Sequence, residues 1–118
     1  AVITFGSVTG AVREAIVRIA THGIALRLIA LRLLAPALPE AMAAALSGVS
    51  RVIVIEQNHG AQLLRWLRAM HDLPGKPASF HRAGPLPFRP GELTDALLAW
   101  HRAGTRPNAV LKTEKEFA

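Results

Sequence analysis

Cysteine is absent from this chain of 118 residues, and aromatic residues are scarce. Without thiols the chain cannot form a disulfide, a zinc ribbon or a cysteine nucleophile, and it cannot supply the thiolates of an iron–sulfur cluster. Aromatic residues make up 5% of the chain and hydrophobic residues as a whole make up 51%, so the core must be largely aliphatic. The length favours one compact domain.

Long uninterrupted hydrophobic segments are also absent. The longest mainly apolar stretch, residues 24–34, is interrupted by Arg27 and Arg32 and is shorter than the roughly 20 residues that cross a bilayer. We expect no secretory signal, because the first residues already resemble a strand, and from the abrupt start at Ala1 we expect a domain of a longer protein. We therefore expect a cytoplasmic protein with no membrane partner.

Acidic residues are outnumbered by basic ones, 8 against 14, which gives a net charge of +6. The basic residues are scattered, with no dense basic run and no interleaved aromatic residues. A nucleic-acid surface usually shows such clustering, so we predict no nucleic-acid partner. A solvated surface together with a contact to another domain accounts better for the charge.

The most informative stretch is RVIVIEQNHGAQL, from Arg51 to Leu63. Its continuous β-branched run, Val52 to Ile55, is typical of a strand that is buried on both faces of a parallel sheet. The polar residues that follow form a turn, and helical spacing begins after Gly60. In an open α/β sheet this turn lies at the carboxyl end of the strand, where ligands and partners bind.

The rest of the chain repeats this alternation of strand and helix. We predict strands at residues 1–6, 24–34 and 52–55, a weak strand at 78–82, and helices at about 11–22, 39–47, 61–71 and 90–102. The pattern predicts a mostly parallel sheet with helices on both faces. Ser7 or Thr9 is expected to cap the first helix, and Asn58 the third.

Two turns at the expected carboxyl edge of the sheet hold the candidate site residues. They are Gly6 and Ser7 after the first strand, and Glu56, Gln57, Asn58, His59, Gly60 and Gln62 after the central strand. The first turn lacks the spacing of a dinucleotide-binding or P-loop motif, which leaves an ordinary turn or a weak anion or partner contact. For the second turn, a polar network at a domain interface and direct ligand contact are both open. Arg32 or Arg51 is a candidate partner for the Glu56 carboxylate.

No catalytic constellation accompanies these residues. The 5 histidines show no metal-binding spacing, and Ser7 has no neighbouring histidine for a nucleophilic triad. His59 is placed for acid–base chemistry, but a turn histidine that contacts a neighbour is the simpler interpretation. The residues therefore predict neither a catalytic residue nor a metal site within this chain.

Three segments together resemble one family. They are VITFGSVTGAVREA at residues 2–15, LRLLAPALP at 31–39 and VIVIEQNHGAQL at 52–63. In order and spacing they are similar to the C-terminal domain of the α subunit of 2-oxoacid:ferredoxin oxidoreductases, and most closely to the 2-oxoglutarate type. The segment at residues 84–93 departs from the family pattern, because Arg89 stands where a serine or threonine helix cap is usual.

The resemblance implies a three-layer α/β fold like the transketolase C-terminal domain at residues 1–102, with a mostly parallel five-stranded sheet, and a tail at 103–118. It implies a structural and interface domain of an enzyme that converts 2-oxoglutarate or a related 2-oxoacid to an acyl-CoA and reduces ferredoxin. The isolated domain is expected to be inactive and to bind no cofactor. Thiamine diphosphate, magnesium and the iron–sulfur cluster are expected elsewhere in the enzyme.

The partners that the resemblance implies are the remaining domains of the α subunit and the β subunit, with ferredoxin and coenzyme A at the level of the full enzyme. Two alternatives stay open. A stand-alone α/β ligand-binding or regulatory module would need its own pocket. The equivalent domain of a transketolase or a 2-oxoacid dehydrogenase shares the fold, but the Glu-Gln-Asn-His-Gly turn disfavours it.

Overall fold

The computed structural model describes residues 1–32, 38–83 and 86–104. Strands and helices alternate along these ranges, as the sequence pattern predicts. The strands are β1 (Val2–Phe5), β2 (Leu28–Leu31), β3 (Ile53–Glu56) and β4 (Ala78–His81). The helices are α1 (Thr9–Ala20), α2 (Pro39–Ala45), α3 (Gln62–Met70) and α4 (Pro90–Gly104), and a 3-10 turn at Gly6–Val8 joins β1 to α1.

The strands run parallel in the order β2–β1–β3–β4. The chain moves from β1 outward to β2, then returns to add β3 and β4 on the other side of β1. The direction of winding therefore reverses between β1 and β3. The crevice at the carboxyl ends of these two strands is the topological switch point of the sheet, where open α/β folds bind ligands.

The central strand β3 sends its side chains alternately into two apolar layers. Ile53 and Ile55 pack in the layer that contains residues of α1 and α4, whereas Val54 packs in the layer that contains residues of α2 and α3. These three side chains are completely buried. Because helices cover both faces of the strand, every position requires an apolar side chain, which explains the unbroken run. The predicted α/β fold with helices on both faces is confirmed.

The sheet contains four strands in the part of the chain that the structure describes, so the expectation of five is wrong. The residue pattern itself offers four strand segments, and the fifth strand was implied only by the family resemblance. β1 and β3 form the centre of the sheet, and β2 and β4 form its edges. Most of the predicted tail, from residue 105 onward, lies outside the described residues.

The edge strand β2 is much shorter than the predicted strand at residues 24–34. It pairs only with β1, and the register matches all four residues of each strand. Arg27 lies just before β2, and its Nη1 donates to the carbonyls of Ala45 at 2.8 Å and Ser47 at 2.7 Å. A cation on these carbonyls favours the C-terminal end of α2. Residues 33–34 lie outside the described ranges.

The two side chains predicted to cap α1 do not do so. The helix follows directly from the 3-10 turn, and Val8 occupies the N-cap position without a side-chain hydrogen bond. Thr9 lies inside the helix, and its hydroxyl pairs with that of Thr4 at 3.0 Å. The threonine pair thereby ties the start of α1 to β1.

Candidate functional site

The carboxyl ends of β1 and β3 border a cleft of about 480 Å³ at the switch point of the sheet. The turn between β1 and α1 contributes to one side, and the turn between β3 and α3 with the first turns of α3 contributes to the other. The lining residues are Phe5, Ser7, Val8, Glu56, Gln57, Asn58, Gln62, Leu63 and Trp66. Two turns that are far apart in the sequence therefore meet at one site.

Most of the predicted site residues line this cleft, namely Ser7, Glu56, Gln57, Asn58 and Gln62. Gly6 precedes Ser7 with a φ of 82°, a left-handed value that glycine adopts without strain. His59 and Gly60 instead line a second cavity of about 310 Å³ beside α3. The carboxyl edge thus carries two separate concave surfaces.

Glu56 lines the cleft but is only 4% exposed. Its Oε1 accepts the backbone N–H of Leu63 at 2.6 Å, and its Oε2 accepts that of Leu64 at 3.0 Å. The side-chain amide of Asn58 also donates to Oε1. Neither arginine suggested by the sequence forms an ion pair with Glu56 in the described ranges. The carboxylate caps α3 instead, where the free N–H groups of the first turn favour a negative charge.

Asn58 and Ala61 complete the start of α3. Asn58 Oδ1 accepts the N–H of Gln62 at 3.2 Å, and the N–H of Arg65 bonds to the Ala61 carbonyl at 3.1 Å. Together with the two bonds to Glu56, these satisfy the first four N–H groups of the helix. Asn58 therefore bonds to the start of α3 as predicted, but from outside the N-cap position, which Ala61 occupies.

Ala61 holds the strained conformation of this turn. Its φ of 51° and ψ of 45° lie in the left-handed region, which costs an alanine about 1 kcal/mol. Its side chain is buried in the layer that contains α3. Such a conformation persists only where the surrounding bonds determine it. Here the hydrogen bonds of Glu56 and Asn58 fix the backbone on both sides of Ala61.

Three polar side chains of the cleft, Ser7, Gln57 and Gln62, do not cap α3. Ser7 and Gln62 are exposed at the cleft. Gln57 is partly buried, and its Nε2 donates to the Leu86 carbonyl at 2.6 Å, which ties the cleft to the loop before α4. A structural network thus accounts for the two capping side chains, whereas Ser7 and Gln62 are exposed polar side chains of the cleft that take no part in it.

Sequence reasoning missed the apolar part of the cleft. Phe5 ends β1 and is 43% exposed. Trp66 is half-buried, and its ring meets that of His71 edge-on, with ring centroids 5.7 Å apart. Strand alternation is the signal that points to Phe5, because it places Phe5 on the same face of the sheet as Ile3, the face that α3 covers.

A second carboxylate is held at the same edge of the sheet. Glu92, in the first turn of α4, accepts two hydrogen bonds of 2.7 Å from Arg82 and one of 2.8 Å from the backbone N–H of Arg89. The hydrogen-bonded guanidinium of Arg82 lowers the pKa of Glu92 from its ordinary value, against the opposing effect of burial. Glu92 supplies the glutamate half of a capping box, which offsets the missing serine or threonine at Arg89.

The described residues contain no group of three or more histidine, aspartate or glutamate side chains placed to hold a metal. No helix in these ranges is long and apolar enough to cross a membrane. The two histidines of the carboxyl edge differ in setting. His59 is exposed, whereas His81 is 6% exposed and its Nδ1 lies 2.6 Å from Ser79 Oγ.

No family model and no curated protein matches this chain. Among solved structures, the chain is similar to the 2-oxoglutarate:ferredoxin oxidoreductase from Magnetococcus marinus, which was solved with 2-oxoglutarate, coenzyme A and succinyl-CoA bound. The TM-score is 0.74 and the sequence identity is 32%, over 82% of this chain and 17% of that chain. This chain therefore shares its fold with one segment of a much longer oxidoreductase, which supports the resemblance at the level of the family.

Proposed function

We propose that this chain is the C-terminal structural and interface domain of the α subunit of a 2-oxoacid:ferredoxin oxidoreductase. The single observation that carries the proposal is the match in fold and sequence to the Magnetococcus marinus enzyme across 82% of the chain. Because that enzyme binds 2-oxoglutarate, coenzyme A and succinyl-CoA, we assign the full enzyme to oxidative decarboxylation of 2-oxoglutarate or a related 2-oxoacid. The products are an acyl-CoA and reduced ferredoxin.

In this proposal the carboxyl edge of the sheet is the surface that meets other parts of the enzyme. The caps at Glu56 and Asn58 hold the turn after β3, so Gln62 and Trp66 are presented in fixed positions, and Ser7 of the turn after β1 lines the same cleft. Their partners are the remaining domains of the α subunit and the β subunit. Ferredoxin and coenzyme A bind the full enzyme, which is cytoplasmic and contacts neither nucleic acid nor a membrane.

Following the family resemblance, thiamine diphosphate, magnesium and the iron–sulfur cluster are assigned to other parts of the enzyme, and the donors at this edge do not fit magnesium or a cluster. The chain has no cysteine for a cluster. Magnesium requires carboxylate or water oxygens in octahedral geometry. The Glu56 carboxylate is bonded to backbone N–H groups and that of Glu92 to Arg82. We therefore expect the isolated chain to have no turnover.

The test is an activity measurement on the full polypeptide that carries this chain, co-purified with its β subunit. We expect reduction of ferredoxin or a viologen dye that depends on both 2-oxoglutarate and coenzyme A. Pyruvate serves as the comparison substrate. A complex that holds thiamine diphosphate and the cluster yet reduces no acceptor with any 2-oxoacid overturns the proposal. Faster turnover with pyruvate overturns only the assignment to 2-oxoglutarate.

The interface role needs its own measurement. Gln62→Arg places a long charged side chain on the exposed start of α3 without removing a cap. We expect this variant to weaken the co-purification of the β subunit or the turnover of the complex, while the exposed control Arg13→Gln on α1 has no effect. Normal assembly and normal turnover of Gln62→Arg contradict an interface at the cleft.

A stand-alone ligand-binding module is the second candidate, because the cleft of about 480 Å³ forms within this chain alone. Its size lies in the range of small-molecule sites. Equilibrium dialysis of the chain against a panel of 2-oxoacids and nucleotides separates the two candidates. Saturable binding that Gln62→Ala weakens favours the module, and the absence of binding favours the interface domain.

A further inference from the structure

The second cavity at the carboxyl edge is lined by basic side chains and by no acidic one. Its volume is about 310 Å³. The lining residues are His59, Gly60, Ala61, Leu64, Arg65, Arg68 and His81. A concave surface with charges of one sign attracts counter-ions strongly, because its low-dielectric walls focus the electric field. The cavity is therefore suited to an anion.

Arg65 and Arg68 lie three residues apart on α3, so their Cβ atoms are about 5–6 Å from each other on the helix surface. Both residues are exposed. Neither takes part in an ion pair within the part of the chain that the structure describes. Like charges at this spacing destabilise a helix slightly, and an anion held between the two guanidinium groups would reverse the sign of that contribution.

His81 forms a buried and fixed part of the same cavity. It ends β4 beside Glu56 of β3, and it is 6% exposed. The bond of 2.6 Å between Nδ1 and the Ser79 hydroxyl fixes the ring. When Ser79 donates to Nδ1, the ring hydrogen resides on Nε2, which is then a donor for a ligand.

The backbone of α3 does not supply the donors. Its first four N–H groups are bonded to Glu56, Asn58 and Ala61. The side-chain donors that line the cavity are guanidinium and imidazole groups, and we expect these groups to hold an anion there. Guanidinium groups bind oxyanions through two parallel N–H bonds, which favours phosphate over a spherical ion such as chloride.

We propose that this cavity binds a phosphate group, either as the free anion or as a phosphomonoester, through Arg65, Arg68, His59 and His81. A phosphate presents three or four acceptor oxygens in a tetrahedral arrangement, so it can bond to both guanidinium groups and to an imidazole at once. A carboxylate has only two oxygens and leaves some of these donors without a partner. The inference does not depend on the proposed function, since it rests on this cavity alone.

The test is a titration of the purified protein with inorganic phosphate at constant ionic strength, followed by the histidine side-chain resonances in proton–nitrogen NMR spectra. We expect saturable shifts of His59 and His81. Arg65→Gln and Arg68→Gln should each weaken binding roughly tenfold or more, because each removes charge-assisted hydrogen bonds. Arg13→Gln on α1 makes the same change of charge at an exposed position outside the cavity and should leave the affinity nearly unchanged.

Two further ligands identify the source of the phosphate. If glycerol phosphate binds as tightly as inorganic phosphate, the site takes a phosphorylated metabolite; if only inorganic phosphate binds, it takes the free anion. Dimethyl phosphate, which has two blocked oxygens, should bind more weakly than either. The absence of saturable shifts overturns the proposal. Equal weakening by Arg13→Gln and Arg65→Gln also overturns it, because that result indicates diffuse attraction to a basic protein and no defined site.

Discussion

Arg51 lies two residues before the central strand β3 and Glu56 is its last residue, and each of them satisfies the end of a different helix. At the amino end, Arg51 Nη2 donates to the Trp100 carbonyl at 2.7 Å, and the guanidinium stacks 4.3 Å from the centroid of the Trp100 ring, near the C-terminus of α4. At the carboxyl end, Glu56 accepts two N–H groups of the first turn of α3. Each charge has the sign that its helix end favours.

The two ends differ in the number of nearby polar groups that take no part in capping a helix. Arg51 is partly exposed, and its bond and ring contact both go to one residue of α4. Glu56 is buried, and the turn that follows it carries Gln57, Asn58 and Gln62, more polar groups than the cap uses. Surplus polar groups beside an apolar cleft are typical of a binding surface. We therefore propose that the carboxyl end is a binding surface as well as a structural element.

Replacement of Glu56 by alanine removes the cap at the carboxyl end of β3, and of the variants considered it should lower the free energy of unfolding most. The N–H groups of Leu63 and Leu64 and the amide of Asn58 lose their acceptor at a buried position. Each unsatisfied buried donor costs about 1–3 kcal/mol, so we expect the free energy of unfolding to fall by about 3–5 kcal/mol. Urea unfolding followed by circular dichroism measures this change.

The control for Glu56 is Glu14→Ala, which removes an exposed acid of α1. Its ion pair with Arg18 is about half exposed on both sides, so we expect a loss below about 0.5 kcal/mol. If Glu56→Ala costs as little as Glu14→Ala, water replaces the carboxylate at the start of α3. The carboxyl end would then owe its rigidity to packing and not to the cap.

Substitution of Gly104 by alanine tests the amino end. A Cβ atom at Gly104 would collide with the Arg51 guanidinium and force it away from the end of α4. We expect the free energy of unfolding to fall by about 1 kcal/mol, because loss of the hydrogen bond and the ring contact is partly offset by the greater helix propensity of alanine. Arg51→Ala should cost a similar amount, because it removes the same contacts.

The double variant Arg51→Ala/Gly104→Ala decides whether the two residues act through one contact. We expect its loss, measured by urea unfolding, to be no greater than that of Arg51→Ala alone, since the clash disappears with the side chain. Full additivity of the two losses is the result that contradicts this account. The amino end would then contain two independent contributions, and its simple contrast with the carboxyl end would not hold.

The sequence predicts the two ends of β3 unequally. The strand and the turn after it follow from local pattern, since Val52 to Ile55 are all apolar and Gly60 stands before a helical repeat. The meeting of this turn with Ser7 follows from the parallel topology, which places both turns at the same edge. These parts of the site could be predicted because each depends on neighbours in sequence or on one general rule of α/β sheets.

The partners of Glu56 and Arg51 could not be predicted in the same way. Glu56 bonds to backbone N–H groups, which every residue possesses, and its reach to α3 depends on the left-handed conformation of Ala61, which no residue pattern indicates. Arg51 contacts Trp100, a residue far along the chain that only the packing of α4 brings near. Spacing rules do not extend to such contacts. The length of β2 was likewise set by its single partner strand and not by its own apolar run.

Glu92 sharpens the comparison, because it is a carboxylate at the carboxyl edge that bonds to an arginine side chain as well as to backbone. Its pKa is lowered in the folded state. Its contribution to stability is therefore complete above the unfolded-state pKa and is lost as the pH falls through the lower, folded-state pKa. Glu92→Gln should lower the free energy of unfolding by about 1 kcal/mol at pH 7. The loss is limited to this size because the ion pair with Arg82 is partly exposed to solvent.

The measurement is urea unfolding of wild type and Glu92→Gln from about pH 7 down to about pH 3, across the range in which carboxylates titrate. The difference between the two proteins should shrink as the pH falls. Asp95→Asn, an exposed acid on the same helix, controls for the loss of one negative charge. A difference that stays constant at every pH shows that Glu92 stabilises α4 by its shape and hydrogen bonds and not by its charge.

Ala61→Gly should have the smallest effect, and it separates backbone strain from packing at the carboxyl end. Glycine removes about 1 kcal/mol of left-handed strain, but it loses more conformational entropy on folding and gives up a buried methyl group. We expect these terms to cancel to within about 0.5 kcal/mol in urea unfolding. A loss above about 1 kcal/mol would mean that the methyl group in the apolar layer of α3 holds the turn. The carboxyl end would then depend on packing against one residue, as the amino end depends on Trp100.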